Sequence, residues 1–79
     1  MKINKAISKI MKDNGFKQIQ MAKAIGKSRP NDVSARLAND NMSFGKAIEM
    51  LDVLGYEVVV QPKTAGQRKE GAIVIDGRD

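Results

Sequence analysis

The chain contains no cysteine, histidine or tryptophan, and each absence excludes a kind of chemistry. Without cysteine it can form neither a disulfide bond nor a thiolate metal site. Without histidine it lacks the commonest zinc ligand and the commonest general base, which excludes Ser/His and Cys/His catalytic pairs. The acidic residues are scattered, and no glycine-rich loop that would cradle a phosphate follows a predicted strand. The sequence therefore predicts a binding protein rather than an enzyme, with no metal and no cofactor.

Long hydrophobic runs are absent as well. The longest apolar stretch is far too short to cross a bilayer, and the N-terminus lacks the apolar block of a secretory signal. We therefore expect the protein to be cytoplasmic and not to associate with a membrane. A length of 79 residues allows a single domain, near the size at which one hydrophobic core is only modestly stable.

Negative charge is scarce in the first part of the chain. Residues 1–46 contain ten Lys and Arg against three Asp and Glu, a net charge of +7, whereas residues 47–79 contain four against six, a net charge of −2. A phosphate backbone attracts a basic surface at long range, whatever its base sequence. A lysine-rich face that is merely solvated has the same composition, so charge by itself does not identify a partner.

Apolar periodicity predicts helices at both ends of the first 55 residues. One runs over residues 3–14 and ends at Gly15. The other runs over residues 44–54, with Ser43 as its N-cap and Gly55 as its stop. Their apolar stripes comprise Ile3, Ile7, Ile10 and Met11 in the first and Phe44, Ala47, Ile48, Leu51 and Leu54 in the second.

Between these helices, residues 17–41 have the order of a DNA-binding helix-turn-helix: a short helix, a turn that contains Gly26, and another helix. Ala22, four residues before Gly26, allows two helices to cross closely, and glycine accepts the backbone of the turn without steric cost. The inward-facing residues are predicted to be Ile19, Ala22 and Ile25, followed by Val33 and Leu37.

The start of the third helix has two candidate caps. Ser28 is a plausible N-cap, and Pro30 suits a first helical turn because its missing N–H would have no partner there. The alternative has Arg29 as the cap and Pro30 at the first helical position. From either start, the helix is predicted to end at Ala38 or Asn39.

Eleven residues are predicted to contact DNA. Gln18 and the helix starts are candidates for phosphate contacts, because free N–H groups and a positive dipole end favour anions. Outward-facing side chains of the third helix are candidates for base contacts, since asparagine reads adenine and arginine reads guanine. Asp32 accepts from cytosine or, as we favour, caps the helix or forms an ion pair, and Lys46 is either a phosphate contact or a surface lysine. The full set is Lys17, Gln18, Lys27, Ser28, Arg29, Asn31, Asp32, Ala35, Arg36, Asn39 and Lys46.

The pattern changes to that of a β-strand over residues 56–61, ended by Pro62. A lone strand needs a partner. Either residues 71–76 fold back on it, or the same strand of a second subunit pairs with it across a two-fold axis. Because the connection over residues 62–70 is long for a hairpin, the sequence favours pairing between subunits. The residues predicted to form this dimer contact are Tyr56, Val58, Val59 and Val60.

Over residues 4–61 the chain resembles the Cro/repressor type of helix-turn-helix domain. The resemblance lies in Gln18, Met21-Ala22, Ile25-Gly26, Ser28, Val33-Ser34 and Leu37, and in the serine-capped helix that ends at Leu54-Gly55. It implies a mainly α-helical fold, with a four-helix, lambda-repressor-like domain over residues 1–61 and a C-terminal strand or hairpin, residues 62–79 forming a tail. It also implies a third helix that enters the major groove, usually in a dimer on a palindromic operator. The chain departs from the family in having one extra residue between Gly26 and Val33-Ser34, so the turn is longer or the third helix starts later.

Three functions follow as expectations. The first is a sequence-specific transcriptional regulator, a repressor that binds double-stranded DNA as a homodimer. The second is an antitoxin that represses its own operon and covers a toxin with its acidic C-terminal part, which contains Glu70, Asp76 and Asp79. The third is a helical interaction protein whose helix-turn-helix pattern reflects packing alone.

Overall fold

The computed structural model describes residues 1–63 and 71–75, which form four α-helices and a two-stranded antiparallel sheet. The helices are α1 (Ile3–Asp13), α2 (Gln18–Ala24), α3 (Pro30–Ala38) and α4 (Phe44–Leu54), and the strands are β1 (Val58–Val60) and β2 (Ile73–Ile75). The predicted mainly α-helical class is confirmed, and of the two C-terminal alternatives, a strand or a hairpin, the structure has the hairpin. Within the described ranges, no helix is long and apolar enough to cross a membrane.

The helix ends follow from local sequence. Ser43 Oγ accepts a hydrogen bond from the backbone N–H of Lys46 at 3.3 Å, as expected of the predicted N-cap of α4. At α3 the alternative cap is the observed one, because Arg29 is the N-cap and Pro30 is the first helical residue. The prediction that Ser28 caps this helix is therefore wrong. Proline suits the first position because its fixed φ is already helical.

The hydrophobic core lies between the helices and is rich in methionine. α1 packs against α3 and α4, and α2 packs against the same two helices. Its buried members are Ile7, Met11, Met21, Ala22, Val33, Met42, Ala47, Met50 and Leu51. Met42 belongs to this core although it lies in the connection between α3 and α4. Because methionine is unbranched and flexible, it fills the irregular gaps between short helices.

Three apolar residues that were expected to face inward are exposed instead: Ile3, Ile19 and Phe44. Each lies in the first turn of its helix. Helical side chains lean towards the N-terminus of their own helix, so a side chain in the first turn extends past the elements that the rest of the helix contacts. The inward assignment of these three residues is therefore wrong.

The strand β1 pairs with β2 of the same chain, with Val58 opposite Ile75 and Val60 opposite Ile73. The preference for a partner strand from another subunit is therefore wrong for this edge. The entropic cost of closing a loop grows only with the logarithm of its length, so the long connection adds little. Val58 also packs against the helical core, which favours closure within the chain.

Candidate nucleic-acid interface

The helices α2 and α3 pack against each other and are joined by residues 25–29. In this connection Gly26 has a φ of 78°, and the N–H of Lys27 donates to the carbonyl oxygen of Ala22 at 2.8 Å. Met21 and Ala22 on α2 and Val33 on α3 are buried. Because α3 is held to the core by its Val33 side, its opposite face is accessible to a partner.

The accessible face of α3 carries small side chains. Asn31, Ala35 and Ala38 are exposed and are four and three residues apart, which places them on one face of a helix. Ser34 is exposed beside them, and its Oγ donates to the carbonyl oxygen of Asn31 at 3.2 Å. Ser34 and Ala38 share this exposed face but are not among the predicted DNA contacts, although their helical spacing from Asn31 and Ala35 is visible in the sequence.

A cleft of about 340 Å³ borders this face. It is lined by residues of α3, of the turn before α3, and of the loop and helix that follow it. Six of the eleven predicted DNA contacts line this cleft together with the core residue Met42: Lys27, Asp32, Ala35, Arg36, Asn39 and Lys46. The fold thus brings residues from positions 27 to 46 into one concave surface.

Two lysines are the first and the last residues, in sequence order, that line the cleft. Lys27 follows α2, and Lys46 lies in the first turn of α4. Both are exposed, and neither forms an ion pair with any residue in the described part of the chain. A lysine near a helix N-terminus opposes the helix dipole, so Lys46 is better stabilised with an anion nearby.

Arg36 differs from these lysines because its charge is already matched within the protein. Its Nη1 donates to Oε1 of Glu49 at 2.7 Å, an ion pair that links α3 to α4. The side chain of Arg36 is 9% exposed, whereas that of Glu49 is 47% exposed. Arg36 was expected on an outward face of α3, whereas most of its side chain is covered and its guanidinium is bound to Glu49. Its contact with DNA stays a prediction. No helical or strand spacing signals this pair, because its members are thirteen positions apart on different helices.

Asp32 lies half-buried in the first turn of α3. A carboxylate in that position is favoured by the positive end of the helix dipole. Within residues 1–63 and 71–75 it forms neither the capping hydrogen bond nor the ion pair that we expected of it. It therefore adds a negative charge to the cleft that Lys27 and Lys46 also line.

The other predicted DNA contacts lie outside this cleft. Lys17 and Gln18 border a second depression of about 310 Å³ beside α1. The N–H of Lys17, the N-cap of α2, donates to Oε1 of Gln20 at 2.7 Å, one half of a capping-box arrangement. The exposed predicted contacts near the start of α3 are Ser28, Arg29 and Asn31.

The hairpin presents an apolar surface on another part of the molecule. Of the predicted dimer residues, Tyr56 and Val60 are exposed, whereas Val58 and Val59 are half-buried. A groove of about 270 Å³ separates the hairpin from α4, lined by Ile48, Leu51, Asp52, Tyr56, Glu57, Val58, Val74 and Ile75. The acidic tail residues Glu70, Asp76 and Asp79 lie outside the described residues.

Comparisons of the chain with protein-family models, with curated proteins and with solved structures find no match. Among the described residues, no group of three or more acidic side chains is arranged to hold a metal ion. The face of α3, the cleft beside it and the charges around both are therefore the features from which a function can be inferred.

Proposed function

We propose that this chain is a sequence-specific DNA-binding transcriptional regulator in which α2 and α3 act as a helix-turn-helix. The observation that carries the proposal is the small, exposed face of α3 with Lys27 and Lys46 beside it. The major groove is wide enough to admit an α-helix, and short side chains let the helix backbone come close to the base edges. The adjoining ammonium groups are suited to the phosphates that border that groove.

Base reading is assigned to the accessible face of α3. The side-chain amide of Asn31 can form two hydrogen bonds with adenine, and the methyl group of Ala35 can contact the methyl group of thymine. Arg29, exposed at the N-cap, contacts a base or phosphate at the edge of the site. Arg29, Asn31 and Ala35 thus remain as base contacts predicted from the sequence, whereas Arg36 is bound to Glu49.

Phosphate binding positions α3 in the groove. Lys27 and Lys46 flank the cleft, and Lys17 with Gln18 lies at the start of α2. The net charge of +7 over residues 1–46 attracts DNA at long range. Contacts of this kind fix orientation and carry no direct sequence information.

A homodimer and repression by occupancy of the operator complete the proposal. The hairpin exposes Tyr56, Val60, Ile73 and Val74 to solvent. A second subunit that covers this surface would bury apolar area and complete a two-stranded sheet that is marginal by itself. Two recognition helices in such a dimer would read half-sites about 34 Å apart, one turn of duplex.

The proposal is tested by selecting duplexes from a random library and titrating the selected and scrambled duplexes by fluorescence anisotropy across a salt series. We expect the selected duplex to bind about a thousandfold more tightly than the scrambled one. Lys27→Ala and Lys46→Ala should each reduce the slope of log affinity against log salt concentration by about 0.9. Lys63→Ala, which removes the same charge beyond β1, is the matched control and should leave the slope unchanged. Equal affinity for both duplexes would reduce the interaction to charge attraction and refute specific regulation.

The apolar hairpin also supports a second candidate, an antitoxin whose C-terminal part covers a toxin. An exposed apolar patch can bind a different protein as readily as a second copy of the same chain. Co-expression with the product of the neighbouring reading frame separates the two: a stable complex of both chains supports the antitoxin. A full-length chain that purifies alone, in a dimer, supports the regulator.

A further inference from the structure

The residue of α3 that is best equipped to read guanine is bound to α4 by an ion pair. The guanidinium of Arg36 is hydrogen-bonded to Glu49 at 2.7 Å, and its side chain is 9% exposed. A charge-assisted hydrogen bond of this length is among the stronger protein interactions. Withdrawing Arg36 from the cleft would break that bond, leave Glu49 unpaired and expose the methylene stem of Arg36 to water.

The side chains that are left on the accessible face favour one class of base pair. Residues 31–38 present the amide of Asn31, the hydroxyl of Ser34 and the methyl groups of Ala35 and Ala38. Asparagine pairs with adenine and small apolar groups contact the methyl group of thymine, whereas guanine is read chiefly by arginine or lysine. With Arg36 retained, this face has a chemistry suited to A·T pairs.

We propose that Glu49 is a specificity-determining residue that keeps Arg36 out of the major groove, so that residues 31–38 read an A·T-rich sequence. Glu49 itself contacts no base in this arrangement and acts through the ion pair that links α3 to α4. The inference extends the DNA-binding function proposed above and depends on it. Arg29 is not part of it, because Arg29 lies at the N-cap, ahead of the face that residues 31–38 present.

The neighbouring charges are consistent with an Arg36–Glu49 ion pair that stays formed in the DNA complex. Lys27 and Lys46 line the same cleft and supply cations for the adjacent phosphates without involving Arg36. Asp32, one helical turn before Arg36, lines the same cleft and adds a carboxylate to it. The hydrogen bond of the guanidinium is accepted by Glu49 on α4.

The test compares the duplexes selected from a random library by four full-length proteins: the parent, Glu49→Ala, Arg36→Met and the double variant. Alanine removes the acceptor and favours a helix, and methionine keeps an unbranched stem without donors. We expect the parent and Arg36→Met to select the same A·T-rich core. Glu49→Ala should select a guanine at one position of that core with about tenfold preference, the size of one bidentate base contact. The double variant should lose this guanine.

A matched control tests whether the loss of one negative charge by itself changes the selected sequence. Asp13→Ala breaks the exposed Lys9–Asp13 pair on α1, which has the same 2.7 Å length, and changes the net charge equally. It should leave the selected sequence unchanged. Circular dichroism establishes that each variant is folded, and Glu49→Met, which keeps an unbranched stem but has no oxygen acceptor, is tested beside Glu49→Ala.

The possible outcomes separate this inference from the function on which it depends. A parent protein that selects no sequence refutes the DNA-reading function itself. A parent that selects a sequence with guanine in its core, and loses that guanine on Arg36→Met, shows that Arg36 reads DNA with Glu49 in place and overturns the inference. An unchanged selection by both folded Glu49 variants overturns it too.

Discussion

At the scale of single residues, Asn4 shows how one buried polar side chain orients a helix. It is 0% exposed, and its Nδ2 donates to the carbonyl oxygen of Leu37 at 2.9 Å and to Oδ1 of Asp40 at 3.0 Å. The last carbonyls of a helix have no partner within that helix, so Asn4 of α1 satisfies one of them at the end of α3. The sequence pattern places Asn4 beside an apolar stripe and contains no sign of this contact.

We predict that Asn4→Ala lowers the free energy of unfolding by about 1–2 kcal/mol, because the buried carbonyl of Leu37 loses its donor. The loss is at the lower end of the range for such a change, since Oδ1 of Asn4 is itself buried without a hydrogen-bond partner among the described residues. Urea denaturation measures the effect. Lys5→Ala, at the exposed neighbouring position, should change stability by less than about 0.5 kcal/mol. Equal losses in the two variants would contradict the assigned role.

At the scale of elements, the two serines that precede helices have different environments despite similar sequence signals. Ser43 caps α4 through its hydroxyl, whereas Ser28 lies one residue before the N-cap of α3. Pro30 decides the second case, because a proline prefers the first position of a helix and so makes Arg29 the cap. Cap residues are thus predictable where one candidate exists and ambiguous where a proline competes.

Ser43→Ala is expected to lower the free energy of unfolding by about 1 kcal/mol, because the N–H of Lys46 loses its acceptor. Ser28→Ala is the matched change of the same atoms at a residue that caps nothing, and its effect should stay within about 0.5 kcal/mol. Thermal or urea unfolding measures the free energy of unfolding of both variants. A larger loss in Ser28→Ala than in Ser43→Ala would reverse the assignment of caps.

At the scale of the whole molecule, the positive charge is concentrated in the first part of the chain, and the hairpin adds an exposed apolar surface. The basic segment and the face of α3 belong to residues 1–46, and the exposed apolar side chains of the hairpin belong to the C-terminal part. Such a division suits a protein that binds a nucleic acid with one region and a protein, in our proposal its own second copy, with the other. The pairing of β1 with β2 moves the expected dimer contact from a single strand to the surface of a hairpin.

We predict that Ile73→Asp converts the proposed dimer to a monomer while leaving the fold intact, because Ile73 is 60% exposed and lies opposite the exposed Val60. A carboxylate in an apolar interface is strongly disfavoured, whereas at an exposed position it is tolerated. Light scattering at micromolar concentration measures the mass. Ile19→Asp makes the same change at a 50% exposed position on α2 and should leave the dimer unaffected. A monomeric parent protein would remove the basis for the dimer.

Much of the fold and part of the candidate site were predictable because they depend on neighbouring residues. Helical periodicity located α1 to α4, Ser43 and Gly55 marked the ends of α4, and six predicted contacts line one cleft. The assignments that failed concern residues whose environment comes from elsewhere in the chain. Ile3, Ile19 and Phe44 have the right spacing for the core but lie in first turns, beyond the packing elements.

The sequence by itself determined the number and kind of the helices and their approximate positions, the concentration of positive charge in residues 1–46 and the absence of thiol and imidazole chemistry. These properties follow from composition and from patterns repeated every three or four residues. Only the tertiary structure decided that Arg36 pairs with Glu49, that Asn4 is buried against the end of α3, and that β1 pairs within its own chain. Each of these contacts joins residues thirteen or more positions apart, so its energy depends on how elements pack and not on any local pattern.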